Sequence, residues 1–312
     1  MTIWNRREFL EWTGKAGLAG LCAGPLLGGL LSGCQTVDIA AGVGRAAGVL
    51  DEQQAESLMR AGGALARSFE DITPEQEYYI GRTVGAVLLT SYQPYPDQAA
   101  NDYINLIGTL VSLNSNMPET FGGYHFLILD SQEINAFAAP GGLIFVTRGM
   151  LRCCTSEDAV AAVLAHEIGH VQHHHGIQTI QRARLTSAFT ILAAEGARTL
   201  GGRDLVELTE IFEQSVSDVV STLVVNGYSR AAEREADSAA VTILHRAGYD
   251  SAALVDMLQV MDMLLQPGGR DYARTHPPPA SRIQDIRPML PPRRPEITAA
   301  RQQRFHQALR HV

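Results

Sequence analysis

The stretch from Thr155 to His175, TSEDAVAAVLAHEIGHVQHHH, decides the fold of the region around it. Its first four residues form a capping-box start, and the apolar run Ala159 to Leu164 continues as a helix into the motif H-E-x-x-H. Residues four apart lie on one face of a helix, so His166 and His170 can reach one metal ion while Glu167 projects beside it. The stretch therefore predicts a metal-binding helix.

Two histidines do not complete a catalytic metal site. A catalytic zinc has three protein ligands and leaves one position to water. Glu233 is the best candidate for the third ligand, because it ends the helix-like stretch Tyr228 to Glu233. Asp237 lies one turn further along the same face and could accept a proton from a liganding histidine, which would fix that histidine's tautomer. The alternative is a helix with a merely polar face.

Four segments resemble the HtpX, Oma and CAAX-prenyl-endopeptidase type of gluzincin, the forty-eighth metallopeptidase family. They are residues 135–149, residues 165–171, Ser229-Arg230 with Glu233 and Asp237, and residues 275–278 with Arg282-Ile283. The resemblance implies one zinc ion on His166, His170 and Glu233, with Glu167 as the catalytic residue. It also implies an α+β, mainly helical metallopeptidase domain with a small sheet beside the active-site helix.

Apolar spacing predicts the other elements of the fold. Helices are expected over Pro74 to Tyr92 and Ala99 to Leu113, and strands over Tyr124 to Leu129 and Leu143 to Val146. Charged residues interrupt Thr186 to Leu200 and Leu205 to Val225, which indicates amphipathic helices rather than membrane spans and favours the family's periplasmic branch. We expect a catalytic domain over residues 71–295 and a terminal helix over residues 296–312.

The first 33 residues have the pattern of an export signal. Asn5-Arg6-Arg7-Glu8-Phe9-Leu10 is a twin-arginine pattern, although Asn5 and Glu11 depart from the usual form and leave the ordinary secretion route open. The apolar run ends in Leu31-Ser32-Gly33-Cys34, which resembles a lipobox that would lipidate Cys34. The alternative is a transmembrane anchor with a chance cysteine. Residues 34–70 then form a tether and a packing helix on the periplasmic side of a bacterial membrane, and Gln35 resembles sorting to the outer membrane.

Charge and cysteine content exclude two classes of protein. The chain has a net charge of −8, its one lysine is Lys15, and it has no basic block, so nothing supports nucleic-acid binding. Beyond Cys22 and Cys34 the only cysteines are the adjacent pair Cys153 and Cys154, which form no disulfide framework. We interpret this pair as small, partly buried residues at a helix end.

The predicted chemistry is hydrolysis of a peptide bond. Glu167 takes the proton of the attacking water and delivers it to the leaving amine. The oxyanion needs a further donor, and His276, Arg282 and Tyr228 are the candidates. Alternatively, His276 fills the open zinc position and keeps the enzyme latent, or it is a surface-loop histidine.

Two further segments have competing interpretations. His173, His174 and His175 could bind a second metal, but we prefer that they interact with the end of the helix and its last carbonyls. The segment from Ala138 to Val146, with Pro140, Gly141 and Gly142, could offer a free strand edge to an extended substrate. An ordinary paired strand is the alternative.

We predict a zinc endopeptidase that degrades misfolded or unassembled envelope proteins. Its expected partners are polypeptide substrates and the membrane, through lipid on Cys34; the outer-membrane assembly machinery is a further candidate. A second hypothesis is a lipid-anchored chaperone or assembly factor with residual proteolysis. A third, a zinc-stabilised lipoprotein without catalysis, is weaker because it gives no reason for a glutamate at position 167.

Overall fold

The computed structural model describes residues 72–180, 216–265, 275–292 and 298–312. The export signal, Cys34, the tether, residues 186–200 and most of residues 205–225 lie outside these ranges. The chain divides into two compact units, one of which contains Thr73–Ile177 and Val219–Val312 and holds the site described below. Of the other unit, Trp12–Ile72 with Gln178–Asp218, only residues 72, 178–180 and 216–218 are described.

The described part of the chain is mainly helical, as predicted. Its helices are α1 (Pro74–Ser91), α2 (Gln98–Ser112), α3 (Arg148–Leu151), α4 (Glu157–Gln172), α5 (Arg230–Arg246), α6 (Ala253–Leu264), α7 (Pro279–Ile286) and α8 (Ala299–Ala308). A π-helical turn spans Thr222–Asn226, and 3₁₀ turns span Pro140–Gly142 and Arg287–Met289. No described helix is both long enough and apolar enough to cross a bilayer.

The predicted helices begin where their capping residues require. Thr73 caps α1 through a complete capping box with Gln76, and Asp97 caps α2 by accepting a hydrogen bond from the Ala100 amide. The predicted terminal helix is confirmed as α8, which begins at the cap Thr298. The helices predicted from apolar spacing are therefore fixed at their starts by local hydrogen bonds.

A three-stranded mixed sheet lies beside the helices, in the order β1 (His125–Leu129), β3 (Leu143–Thr147) and β2 (Ala136–Ala139). Strand β3 pairs in parallel with β1 and antiparallel with β2, so it is the central strand. The short turn Pro140–Gly142 connects β2 to β3 and requires glycine, because Gly141 has a φ of 74°. The small predicted sheet is confirmed, and β2 is a strand that apolar spacing did not predict.

Helix α4 lies at the centre of this unit. Every residue from Glu157 to Val171 is buried, and the helix contacts α2, α5, α6 and the strand β2. A helix that is apolar around most of its circumference must be covered on all sides. Any polar side chain that α4 carries is therefore desolvated and needs a specific partner.

Candidate active site

Four side chains with metal-ligating atoms converge on one buried point. His166 and His170 come from α4, Glu233 from α5, and His276 from the segment before α7. One ligand atom of each lies within 4.8 Å of the others, and all four residues are at most 8% exposed. Two of these side chains come from a single helix turn, but the other two depend on the packing of distant elements.

Close packing of two helices brings Glu233 to the histidines. Gly169 lies between the two histidines of α4, and a Cβ atom placed on it would be 2.9 Å from the carbonyl oxygen of Ala236 on α5. Ala239 and Ala240 are also buried. Small residues let the backbones approach, so a carboxylate in the first turn of α5 reaches the imidazoles of α4.

The donor atoms have the chemistry of a metal site. Nε2 of His166 lies 3.2 Å from Nε2 of His170, and these two nitrogens lie 3.6 and 3.5 Å from the two carboxylate oxygens of Glu233. The Oε1 atom of Glu233 is buried without a hydrogen-bond partner among the described residues. Lone pairs that face one another in a dry pocket are unfavourable unless a cation joins them. These residues therefore fit a divalent metal ion.

Asp237 lies behind the first histidine, as its position on α5 predicts. Its Oδ1 atom is 3.0 Å from Nδ1 of His166, and it accepts two hydrogen bonds from the buried guanidinium of Arg282, at 2.6 and 3.0 Å. Burial alone would raise the pKa of Asp237, but Arg282 and His166 together lower it far below its usual range. An ionised Asp237 accepts the proton on Nδ1 of His166, which leaves Nε2 of that histidine free to bind a metal.

Glu167 is desolvated beside the donor set. It is 2% exposed, and burial raises the pKa of its carboxyl group, although the nearby His166 and His276 oppose that shift. Burial would also raise the pKa of Glu233, but His276 and His166 lower it. The two glutamates thus differ in proton affinity: Glu233 is held as an anion, whereas Glu167 is a better proton acceptor.

The three oxyanion-donor candidates occupy different positions. Nδ1 of His276 is bonded to Oε2 of Glu233 at 2.8 Å, so this histidine belongs to the donor set and is not a surface-loop residue. Arg282 is turned toward Asp237 and lies 3.1 Å from Nδ1 of His166. The ring of Tyr228 stacks on the ring of His170, with their centroids 4.4 Å apart, and the buried hydroxyl of Tyr228 has no hydrogen-bond partner among the described residues.

The histidine run after α4 does more than end a helix. The helix does end at the cap His173, as predicted, and His174 has a left-handed φ of 53°. His174 bonds Glu77 at 3.0 Å, and His175 is 3.0 Å from Glu235 and 2.9 Å from Nδ1 of His170. Spacing on a helix face could not predict this last contact, because His170 and His175 are five residues apart.

The segment from Ala138 to Val146 is not one strand with a free edge. It comprises the end of β2, the turn Pro140–Gly142 and most of β3, and β3 is paired on both sides. Among the described strands only β2 and β1 are edge strands, and all four residues of β2 are buried. The two glycines reverse the chain in the middle of the segment, so only its first two residues, Ala138 and Ala139, lie on an edge strand, and substrate pairing there stays a prediction.

Cys153 and Cys154 lie just after the short helix α3 as free, buried thiols. Each sulfur contacts the carbonyl four residues before it. Burial raises the pKa of Cys153 to about 12 and that of Cys154 well above the usual value. Both thiols are therefore protonated and unreactive, which agrees with a structural role near a helix end.

Comparison with known proteins gives a consistent family. The model of peptidase family M48 matches residues 98–290. The chain is 26% identical over 227 residues to the beta-barrel assembly-enhancing protease of Escherichia coli strain K12, which covers 71% of this chain and 44% of that protein. It is 32% identical over 209 residues to the mitochondrial metalloendopeptidase OMA1 of Schizosaccharomyces pombe, covering 66% of this chain and 56% of the relative. The metalloprotease LoiP of Escherichia coli strain K12 is 28% identical over 163 residues, covering 52% of this chain and 61% of LoiP. The chain thus spans roughly half of each relative's length.

Proposed function

We propose that this chain, which belongs to peptidase family M48, is a zinc metalloendopeptidase that degrades misfolded or unassembled proteins of the bacterial envelope. The observation that carries this proposal is the convergence of His166, His170 and Glu233 on one buried point with Glu167 beside it. A set of two imidazoles and one carboxylate is the ligand chemistry of zinc hydrolases.

Each residue of the site then has a separate role in peptide-bond hydrolysis. A zinc ion held by His166, His170 and Glu233 would polarise the scissile carbonyl and make water a better acid. Glu167 takes one proton from the attacking water on its carboxylate and passes it to the leaving amine nitrogen. The raised pKa of its carboxyl suits this exchange, since a weakly acidic group can both accept and return a proton. The hydroxyl of Tyr228, which has no hydrogen-bond partner within the described part of the chain, is our candidate donor to the developing oxyanion.

His276 supports a latent form of this enzyme. It places a fourth donor in the set, bonded to Glu233 at 2.8 Å, and a zinc with four protein ligands has no position for water. We expect His276→Ala to raise cleavage of casein several-fold on metal-loaded protein, because the variant opens the fourth position. If His276 acts as an oxyanion donor instead, the same variant loses about 100-fold or more in rate.

Glu167→Gln tests the catalytic proposal most directly. It keeps the volume of the side chain but removes the proton acceptor, so casein cleavage should fall by roughly 100- to 10,000-fold while zinc stays bound. Glu75→Gln, the same change at an exposed position on α1, is the matched control and should cleave casein at the wild-type rate. The rates must be compared at equal zinc content, since lost metal would imitate lost chemistry.

The same variant separates the protease from the chaperone hypothesis. If metal-loaded Glu167→Gln degrades casein as fast as wild type, the helix α4 is not the catalytic centre. If it loses proteolysis but restores outer-membrane assembly in cells that lack the wild-type gene, the chain acts chiefly as an assembly factor. The similarity to a beta-barrel assembly-enhancing protease is the observation that keeps this second function under consideration.

The envelope location is part of the proposal. The lipobox-like Leu31-Ser32-Gly33-Cys34 and the twin-arginine pattern favour export and attachment through a lipid on Cys34, with outer-membrane sorting favoured by Gln35. Relatives include proteins of bacteria whose names concern beta-barrel assembly. The polypeptide substrates proposed here would then be other proteins of the periplasm and outer membrane.

A further inference from the structure

The two metal-ligating histidines of α4 are supported by different partners. Nδ1 of His166 faces the carboxylate of Asp237 at 3.0 Å, whereas Nδ1 of His170 faces another imidazole, Nδ1 of His175, at 2.9 Å. His175 in turn has its Nε2 atom 3.0 Å from Oε2 of Glu235. The side chains of His170 and His175 are each about 1% exposed, while Glu235 is 56% exposed.

The hydrogen-bond chain admits one arrangement of protons that leaves His170 able to bind a metal. The carboxylate of Glu235 can only accept, so Nε2 of His175 donates to it. A neutral His175 then carries a lone pair on Nδ1, which accepts the proton on Nδ1 of His170. His170 is left with a lone pair on Nε2, the atom that faces His166 and Glu233 in the donor set.

The break in the helix makes this contact possible. His174 has a φ of 53°, and the chain resumes helical structure at residue 175. In an unbroken helix, residues five apart do not face each other. The left-handed residue returns the chain so that the ring of His175 meets the edge of His170 with centroids 5.0 Å apart, while Tyr228 stacks on the face of His170 at 4.4 Å.

We propose that His175, oriented by Glu235, is a positioning residue that fixes the tautomer and ring orientation of His170 and thereby sets the affinity of the site for its metal. This inference rests on the proposed zinc site. It assigns one of the three consecutive histidines to the support of the site, and neither a second metal nor a helix-end charge is needed to explain His175. Groups that orient a metal ligand typically change metal affinity by 10- to 100-fold when they are removed.

The test uses the full chain in detergent and zinc ion alone, with affinity measured by competition against a chelator. His175→Ala removes the acceptor and should weaken zinc binding by about 10- to 100-fold. His175→Asn places its side-chain oxygen where Nδ1 of the histidine was, so it should restore affinity to within about threefold of wild type. His245→Ala removes an exposed imidazole at the other end of α5 and should leave zinc binding unchanged.

A spectroscopic measurement distinguishes positioning from general destabilisation. In protein stripped of metal and labelled with ¹⁵N-histidine, His170 should carry its proton on Nδ1 in wild type and in His175→Asn, but populate both tautomers in His175→Ala. Glu235→Ala, a change at a half-exposed side chain, should lower zinc affinity by several-fold, in the same direction as His175→Ala. Glu235→Ala therefore tests the positioning role of His175 even if His175→Ala does not fold.

Each result has a separate meaning. Wild-type protein that binds no zinc contradicts the proposed function itself. The positioning role alone is overturned if His175→Ala folds and binds zinc with wild-type affinity. It is also overturned if Glu235→Ala keeps both wild-type zinc affinity and the wild-type tautomer of His170. The positioning role is overturned as well if His175→Asn loses as much zinc affinity as His175→Ala. Zinc affinity would then not depend on an acceptor atom facing Nδ1 of His170.

Discussion

The two ends of helix α4 both bury charged side chains, but they balance those charges in different ways. At the N-terminal end, Glu157 is fully buried and both of its oxygens are bonded, to the guanidinium of Arg304 and to the hydroxyls of Tyr103 and Tyr249. Beside the C-terminal half of α4, Glu233 of α5 has a buried oxygen without a hydrogen-bond partner among the described residues. Oδ2 of Asp158 at the N-terminal end also has no hydrogen-bond partner among the described residues, so an unpaired oxygen alone does not indicate a metal site. Glu233 differs because Nε2 of His166 and Nε2 of His170 lie 3.6 and 3.5 Å from its oxygens, and that donor set indicates a place for a cation.

Ion pairs at the N-terminal end of α4 join this helix to α8. Arg304 and Arg301 of α8 reach Glu157 and Asp158, and the Asp250 amide also donates to Asp158 at 2.9 Å. Both carboxylates lie in the first turn of α4, where the helix dipole favours negative charge. This end therefore contributes to stability, and we expect its variants to affect unfolding rather than zinc binding.

Removing the carboxylate at the C-terminal end should give the largest effect. Glu233→Ala leaves two histidines on one helix, which hold a metal far more weakly than three ligands, so zinc should be lost from the purified protein. The expected drop in zinc affinity is 1,000-fold or more by order of magnitude, about 4 kcal/mol. Metal analysis after dialysis checks it; a full complement of zinc would show that another residue is the third ligand.

Removing one cation at the N-terminal end should produce the opposite pattern. Arg304→Met takes a charged donor from the buried Glu157 but leaves its two tyrosine hydroxyls, so the free energy of unfolding should fall by about 2 kcal/mol. Zinc affinity should not change. Urea denaturation of metal-free protein measures the loss, with Arg310→Met at an exposed position as the control. If Arg304→Met lowers zinc affinity as well, the two ends of α4 are coupled and the comparison fails.

The smallest effect is expected from the pair formed by the half-exposed His174 after α4 and the buried Glu77 of α1. The hydrogen bond to Glu77 raises the pKa of His174 above its usual value near 6.5. Stability from this pair is therefore complete below that usual value and is lost as pH rises through the higher folded-state pKa. Wild type should exceed His174→Gln in free energy of unfolding by less than about 1 kcal/mol at pH 5.5.

The difference between wild type and His174→Gln should shrink toward zero by about pH 9, well above the pKa of a free imidazole. Thermal unfolding of both metal-free proteins across this range measures it. Each protein also contains the other histidines of the site, so their titration cancels in the comparison. A difference that grows with pH would mean that His174 does not gain its stability from the charged form.

The sequence predicts this site where the chemistry depends on local spacing. His166, Glu167 and His170 follow from one helix turn, and Asp237 follows from its place one turn after Glu233. The pairing of Glu157 with Arg304 could not be predicted, because it joins residues 147 positions apart and depends on how α8 packs. The capping-box interpretation of residues 155–158 is also only partly right. Ser156 caps α4, whereas Asp158 pairs with Arg301 of α8 and accepts a hydrogen bond from the amide of Asp250 in the turn before α6.

The contact between Gly227 and Thr275 links the two segments that flank the metal-ligating atoms. Gly227 has a φ of 71°, and a Cβ atom on it would lie 2.0 Å from the carbonyl oxygen of Thr275, so the two backbones touch with no side chain between them. Tyr228 and His276 are the next residues in their segments. Neither segment can move toward the other without a backbone clash, so a side chain at position 227 would push the two segments apart and displace Tyr228 and His276 from the site. The identity of residue 227 therefore controls the spacing of these two side chains, neither of which lies in a helix.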